Sequence, residues 1–199
     1  MGEIDEKISE SLEKARESRL NAAVAAFVAL AATFMALSNV KDGNIVQAMA
    51  QAQANSVDAW AYYQAKGTKQ NLAISAREQI ELLRDSTPTA TPEVRALFAK
   101  RITDYAAQEK KYEAEKDEIK RQAEGFKKQY DDLNVHDDQF DMAEALLSVA
   151  IALFGVTALT RKVWLLGLAI AFAGFGTLLG FAGFLGWNLH PDWLAGLLG

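Results

Sequence analysis

The sequence predicts an all-α integral membrane protein. It would have three transmembrane helices and a long extramembrane antiparallel helical hairpin, a coiled coil, between spans 1 and 2. Three observations carry this. Residues 20–40, 142–160 and 163–187 are apolar and almost free of charge, long enough to span a bilayer at about 18 residues or more. From 98 to 140, every seventh residue is large and apolar or aromatic: Phe98, Tyr105, Tyr112, Ile119, Phe126, Leu133 and Phe140. A strict seven-residue repeat keeps one face of a long helix against a partner helix. The partner is the preceding stretch, because Thr87-Pro88-Thr89-Ala90-Thr91-Pro92 breaks the helical pattern between them.

The totals exclude several classes. A net charge of -5 offers no basic footprint for nucleic acid. Cysteine is absent, so disulfides and thiolate metal sites are excluded. With only His136 and His190, a zinc site would need carboxylates to complete it. The acidic start Met-Gly-Glu-Ile-Asp-Glu and the length of the first apolar run argue against a cleaved secretory signal.

Residues 1–19 form the first element. Ile4, Ile8, Leu12 and Ala15 at helical spacing predict an amphipathic helix, on the membrane surface or against a neighbouring subunit, and its alternating Glu and Lys/Arg favour solvated ion pairs. Span 1, 20–40, is rich in alanine. Ala22, Ala26, Ala29, Thr33 and Ala36 recur at spacings of four and three, a small-residue face of the kind on which membrane helices pack closely.

The hairpin occupies 41–141, with its tip near 86–92. Lys41-Asp42-Gly43-Asn44 either caps and restarts the helix or lies inside it. From 45 to 85 there is no proline, and Gly67 is the sole breaker. Thr91 before Pro92 and Glu93 predicts a new helix: a hydroxyl N-cap, proline in the first turn and an acid at the positive dipole end. Arms of this length would extend about 60 to 75 Å at about 1.5 Å per residue. Folding about the tip would set Trp60 against Ile119, Gly67 against Tyr112 and Ile74 against Tyr105, with the glycine making room for a ring, or the same faces slipped by three or four residues. Trp60, Tyr63 and Gly67 would thus share the packed face.

Span 2, 142–160, and span 3, 163–187, are separated only by Arg161-Lys162, a tight membrane turn. In span 3, Ala169, Ala173, Gly176, Gly180 and Gly183 repeat the small-residue spacing, predicting close packing within or between subunits. In and beside the tail, 188–199, Trp187 and Trp193 are interfacial anchors. Lys14, Arg16 and Arg19 flank span 1, and Arg161-Lys162 follow span 2. The positive-inside rule therefore places the N-terminus in the cytoplasm and the hairpin outside.

The run Val57-Asp58-Ala59-Trp60-Ala61-Tyr62-Tyr63-Gln64-Ala65-Lys66-Gly67 resembles a bacterial membrane-protein family, domain of unknown function 4337. The order of parts is similar too: acidic N-terminus, one span, a charged helical region, then two spans joined by the turn Thr160-Arg161-Lys162-Val163-Trp164. The resemblance covers most of the chain, with Ser86 to Pro92 longer than the family pattern. It implies a bacterial membrane location; no known activity comes with it, and no catalytic residue can be carried over.

Two clusters are candidates for chemistry. Trp60, Tyr62, Tyr63 and Lys66 could grip a ligand or headgroup, although an aromatic stripe at helical spacing more commonly marks packing. Asp137, Asp141 and Glu144, with His136 and Asp138 beside them, could offer oxygen ligands to a divalent cation, or His136 could titrate near neutral pH. No glycine-turned calcium loop frames them, which favours a solvated face. The spans carry no charge near their centres, which argues against an ion-coupled transporter. No nucleophile–base arrangement or phosphate loop is recognisable, so neither an enzyme nor a cofactor is expected. The expectation is a homo-oligomeric membrane scaffold whose partners are lipids and copies of itself. The alternatives are a pore or an accessory subunit of another membrane protein.

Overall fold

The computed structural model describes residues 2 to 187 and Leu189, with side chains at position 4 and from 6 onward. All described secondary structure is helical: α1 (Gly2–Ser86), α2 (Pro92–Thr160) and α3 (Val163–Leu185). Each contains a stretch long and apolar enough to cross a membrane. The chain divides into two compact units. Residues up to Ala48 with those from Asp132 onward form one, and Met49–Asp131 form the other. Tail residues Asn188, His190 and Trp193 lie outside the described residues.

α1 runs unbroken through 41–44, where the sequence leaves a boundary open, and through the 19/20 junction between the first element and the apolar stretch. Gly43 does not interrupt it, and a Cβ there would meet nothing within 4 Å. Ile4, Ile8 and Leu12 are exposed, 51% or more, so the apolar side of 3–19 is uncovered in the single chain.

The unit containing the three long apolar stretches, called spans 1 to 3 for their position in the sequence, is a three-helix bundle. Val24 of α1, Ala150 and Phe154 of α2 and Ala169 of α3 form one core cluster, with Leu20, Val28 and Phe172 packed around it. Met142, Ala143 and Leu179 form a second. Close helix approach is made by glycine. A Cβ at Gly176 would lie 3.0 Å from the Ala143 carbonyl oxygen, at Gly180 2.6 Å from the Phe34 ring, and at Gly183 2.8 Å from the Phe140 ring. These three glycines are buried within the chain. The small-residue face of span 3 is therefore consumed inside one molecule.

The α2–α3 turn is made by Arg161, whose φ of 61° is left-handed for a residue with a side chain, a conformation that costs about 1–2 kcal/mol. Its amide still closes on the Thr157 carbonyl at 2.8 Å. Its guanidinium pairs with Glu17 of α1, which puts the basic segment before span 1 beside the basic turn after span 2.

In the other unit, the ends of α1 and α2 run antiparallel from a short tip. Thr91 caps α2, its hydroxyl accepting from the Val94 amide at 3.4 Å. Glu93 sits in the first turn, and its carboxyl is held below the usual range by its own backbone amide and the Thr91 hydroxyl. Arg95 staples the tip by donating to the Pro88 and Ala90 carbonyls. Along the arms, the Ser56 hydroxyl donates to the Ala123 carbonyl, Lys66 pairs with Glu115, and Arg77 pairs with Glu109. The seven-residue positions Phe98, Tyr105, Tyr112 and Phe126 are half-buried, and Ile119 is buried.

One detail of the register is corrected. Gly67 does not face Tyr112. The nearest side chain to its missing Cβ is Lys116, with Cε at 3.8 Å. Lys116, one turn farther along α2, lies there because its ammonium is drawn to the Tyr63 ring and to Gln70.

Candidate functional site

Three places bring polar or aromatic groups together. The first lies in the Met49–Asp131 unit, where Tyr63 and Gly67 are half-buried against α2, while Trp60, expected on the same packed face, stays exposed. Trp60 and Tyr63 meet edge to face at 5.5 Å. Lys66, its side chain only 12% exposed, reaches Glu115 at 2.5 Å. Its ammonium also sits 5.0 Å from the Tyr62 ring centre and 5.6 Å from that of Tyr112. The Glu115 carboxylate, then the Tyr62 hydroxyl, hold the Lys66 pKa above its usual value; reciprocally, Lys66 holds the Glu115 carboxyl below its own. Lys116 lies 5.0 Å from the Tyr63 ring centre and donates to Gln70 at 3.0 Å. Both lysines are thus committed to partners within the unit. That arrangement locks the two arms and leaves Lys66 no unpaired charge for a ligand.

The second place is in the three-helix unit, at the end where α1 leaves span 1 and α2 enters span 2. Asp137, Asp141 and Glu144 recur along one face of α2, and α1 adds Asp42, which lies inside the continuous helix. Burial raises the Asp137 carboxyl to about 6, helped by the Asp42 charge and a hydrogen bond between the two groups. Burial likewise raises Asp42 and Asp141 above the ordinary carboxylate range. Two carboxyls in hydrogen-bond contact share a proton when one of them is neutral. Asn39 completes the junction: with its amide oriented to satisfy both ends, its nitrogen donates to Glu144 Oε2 at 3.2 Å. Asp138 accepts from Asn134 at 3.1 Å. Among the described residues, no group of three or more His, Asp or Glu side chains is placed to hold a metal ion.

Beside it, Gln139 is fully buried and donates to the backbone carbonyls of Trp187 and Leu189 at 2.6 and 2.7 Å. His136 Nδ1 lies 3.1 Å from the Gln139 side-chain oxygen. With that oxygen as acceptor, the Gln139 amide is oriented to bind the chain leaving α3. Gly186, left-handed at φ 68°, turns those carbonyls toward it. No sequence signal marked Gln139, because its partners are backbone groups 48 and 50 residues away.

The third place is an apolar groove of about 700 Å³ between α1 and α3, lined by Phe27, Leu30, Phe34, Phe181, Leu185 and Trp187 among others. Phe34 stacks obliquely on Phe181 at 5.1 Å, which shapes one wall.

The two predicted small-residue faces fare differently. Ala169 is fully buried and Ala173 half-buried, with Gly176, Gly180 and Gly183 against α1 or α2. Ala22, Ala26, Ala29, Thr33 and Ala36 are all exposed, because α1 turns Val24, Ala31 and Ser38 inward instead. Leu133 and Phe140, at the end of the seven-residue repeat, belong to the three-helix unit, where Phe140 fills the space left by Gly183.

The family model described as "Domain of unknown function (DUF4337)" covers residues 20–186. No curated protein matches, and no solved structure matches.

Proposed function

We propose, for a chain that belongs to the DUF4337 family and takes no activity from it, a non-enzymatic homo-oligomeric membrane scaffold. Its spans pack in a bacterial inner membrane, with the N-terminus cytoplasmic, and its antiparallel arms form a coiled-coil hairpin outside. The observation that carries this reading is the outward face of span 1. Ala22, Ala26, Ala29, Thr33 and Ala36 are small, exposed and weakly lipophilic, while the matching face of span 3 is already used within the chain. A small face lets a second helix approach closely, which is where membrane helices gain packing energy. The Thr33 hydroxyl donates to the Ala29 carbonyl at 2.8 Å and is spent within its own helix, which supports packing over a polar pore lining.

The chain has no native cysteine, so single cysteines report contacts cleanly. Ala29→Cys and Ala36→Cys are expected to form disulfide-linked dimers in native membranes, and Val24→Cys, buried in the bundle, is not. Equal crosslinking at all three, or none at 29 and 36, would refute the oligomer. A stoichiometric different protein recovered with the chain would replace it by the accessory-subunit reading.

A further inference from the structure

At the end of the three-helix unit opposite Asp137, a cleft of about 370 Å³ opens between α1 and the α2–α3 turn. That volume lies within the usual range of ligand clefts. Its lining is Glu13, Arg16, Glu17, Leu20, Arg161 and Val163. Leu20 and Val163 are the first residues of spans 1 and 3, so the cleft sits where hydrocarbon gives way to headgroups. Of its four charges, Glu17 and Arg161 are paired with each other. Among the described residues, Glu13 and Arg16 make no ion pair or side-chain hydrogen bond, and both are exposed. Three residues apart on a helix, their side chains emerge about 5–6 Å from each other on one face. Lys162, the N-cap of α3, makes no side-chain capping bond, which leaves the first-turn amides of that helix without a side-chain acceptor on the same side.

We propose that this cleft binds the headgroup of a zwitterionic phospholipid, its phosphate on Arg16 and its primary ammonium on Glu13. The proposal rests on the membrane-spanning reading above. The charges decide the class. A purely anionic headgroup would meet Arg16 but be repelled by Glu13, and a free cation would meet the reverse. A phosphate joined to an ammonium by a short bridge satisfies both, and the Glu17–Arg161 pair fixes the wall between α1 and the turn. Guanidinium suits phosphate because its donors form a planar fork. A primary ammonium donates hydrogen bonds to a carboxylate, whereas a trimethylated one has none to give, so phosphatidylethanolamine is favoured over phosphatidylcholine. Leu20 and Val163 then receive the glycerol end and its acyl chains.

The test is native mass spectrometry of the full chain in mild detergent with equal amounts of phosphatidylethanolamine, phosphatidylcholine and phosphatidylglycerol. The ethanolamine lipid is expected to be retained roughly twofold to fivefold over each of the others, the scale of one exposed ion pair. Glu13→Gln should abolish the preference over choline and raise phosphatidylglycerol retention. Arg16→Gln should lower retention of all three. Both side chains are exposed, so both variants should keep the wild-type helix content, and Lys100→Gln in α2 serves as an unrelated charge control. Equal retention of the three lipids by the unaltered chain, or a preference surviving Glu13→Gln, would overturn the proposal. So would displacement of the lipid by an equal concentration of free phosphoethanolamine, since the ligand would then be the soluble zwitterion. A chain found in the membrane fraction yet blind to headgroup sinks only this inference. A chain absent from that fraction sinks the membrane reading as well.

Discussion

Gly174 and Gly176 stand two residues apart on α3, and the structure assigns them opposite responses to one added methyl group. A Cβ at Gly176 would lie 3.0 Å from the Ala143 carbonyl oxygen, 3.0 Å from Leu147 Cγ and 3.1 Å from Leu146 Cβ. These contacts are tighter than a side-chain carbon ordinarily makes, so its neighbours must give by a few tenths of an ångström. One of the three atoms is backbone and cannot swing aside, so α3 must back away from α2. Overpacking of this kind costs about 1–3 kcal/mol. Replacing glycine by alanine inside a helix returns about 1 kcal/mol of conformational preference. Gly176→Ala is therefore expected to destabilise by about 0–2 kcal/mol, combining these two effects. A Cβ at Gly174 meets nothing within 4 Å, so Gly174→Ala should keep the helix preference without the clash. The helix-preference contribution cancels between them, leaving a predicted gap of about 1–3 kcal/mol. Unfolding of the two variants in mixed micelles, followed by circular dichroism against added dodecyl sulfate, measures it. Stabilities agreeing within about 0.5 kcal/mol, the range of a surface substitution, would refute the claim that Gly176 carries the α2–α3 contact.

Other consequences follow from the polar contacts. The Asp137 carboxyl is raised from 3.8 to about 6, so the folded chain holds that proton more tightly than the unfolded one. Its contribution is full below pH ~4 and lost as pH rises through ~6. Asp137→Asn should flatten the fall in thermal stability between those values, and an unchanged pH profile would contradict the arrangement. Gln139→Leu removes two hydrogen bonds from the chain leaving α3 and should cost about 1–3 kcal/mol. Amide exchange is then expected to quicken in the last turn of α3 while the middle of α2 is unaffected. In Lys66→Met, Glu115 loses the ammonium that holds its carboxyl low. An NMR titration should find Glu115 protonating at higher pH than in the unaltered chain.

Some of this was legible in the chain because it belongs to one helix at a time. The repeat from Phe98 to Phe140 marks a face by its own spacing, whatever lies opposite, and those positions are half-buried or buried. Thr91 advertised the start of α2 through local chemistry, and its hydroxyl does accept from the first turn. Length and apolarity alone identified three helices able to cross a bilayer. Pairing between helices was less legible. Gly67 and Tyr112 both lie on the facing surfaces, yet attraction of Lys116 to Tyr63 and Gln70 sets a lysine, rather than the ring, against the glycine.

The sequence by itself determined the periodicities, the caps, the segregation of charge from apolar spans and the family. These depend on residues within a few turns of one another, where helix geometry is the same everywhere. Only the tertiary structure decided between the two small-residue faces, which have the same four-and-three spacing. Phe34, Phe140 and Leu147 fill the gaps at Gly180, Gly183 and Gly176, while Ala22 to Ala36 find no such counterpart and stay exposed. It also brought Asp42 to Asp137 and the amide of Gln139 to the carbonyls beyond α3. Complementarity between distant side chains is a property of helices already docked, and no spacing along a single helix encodes it.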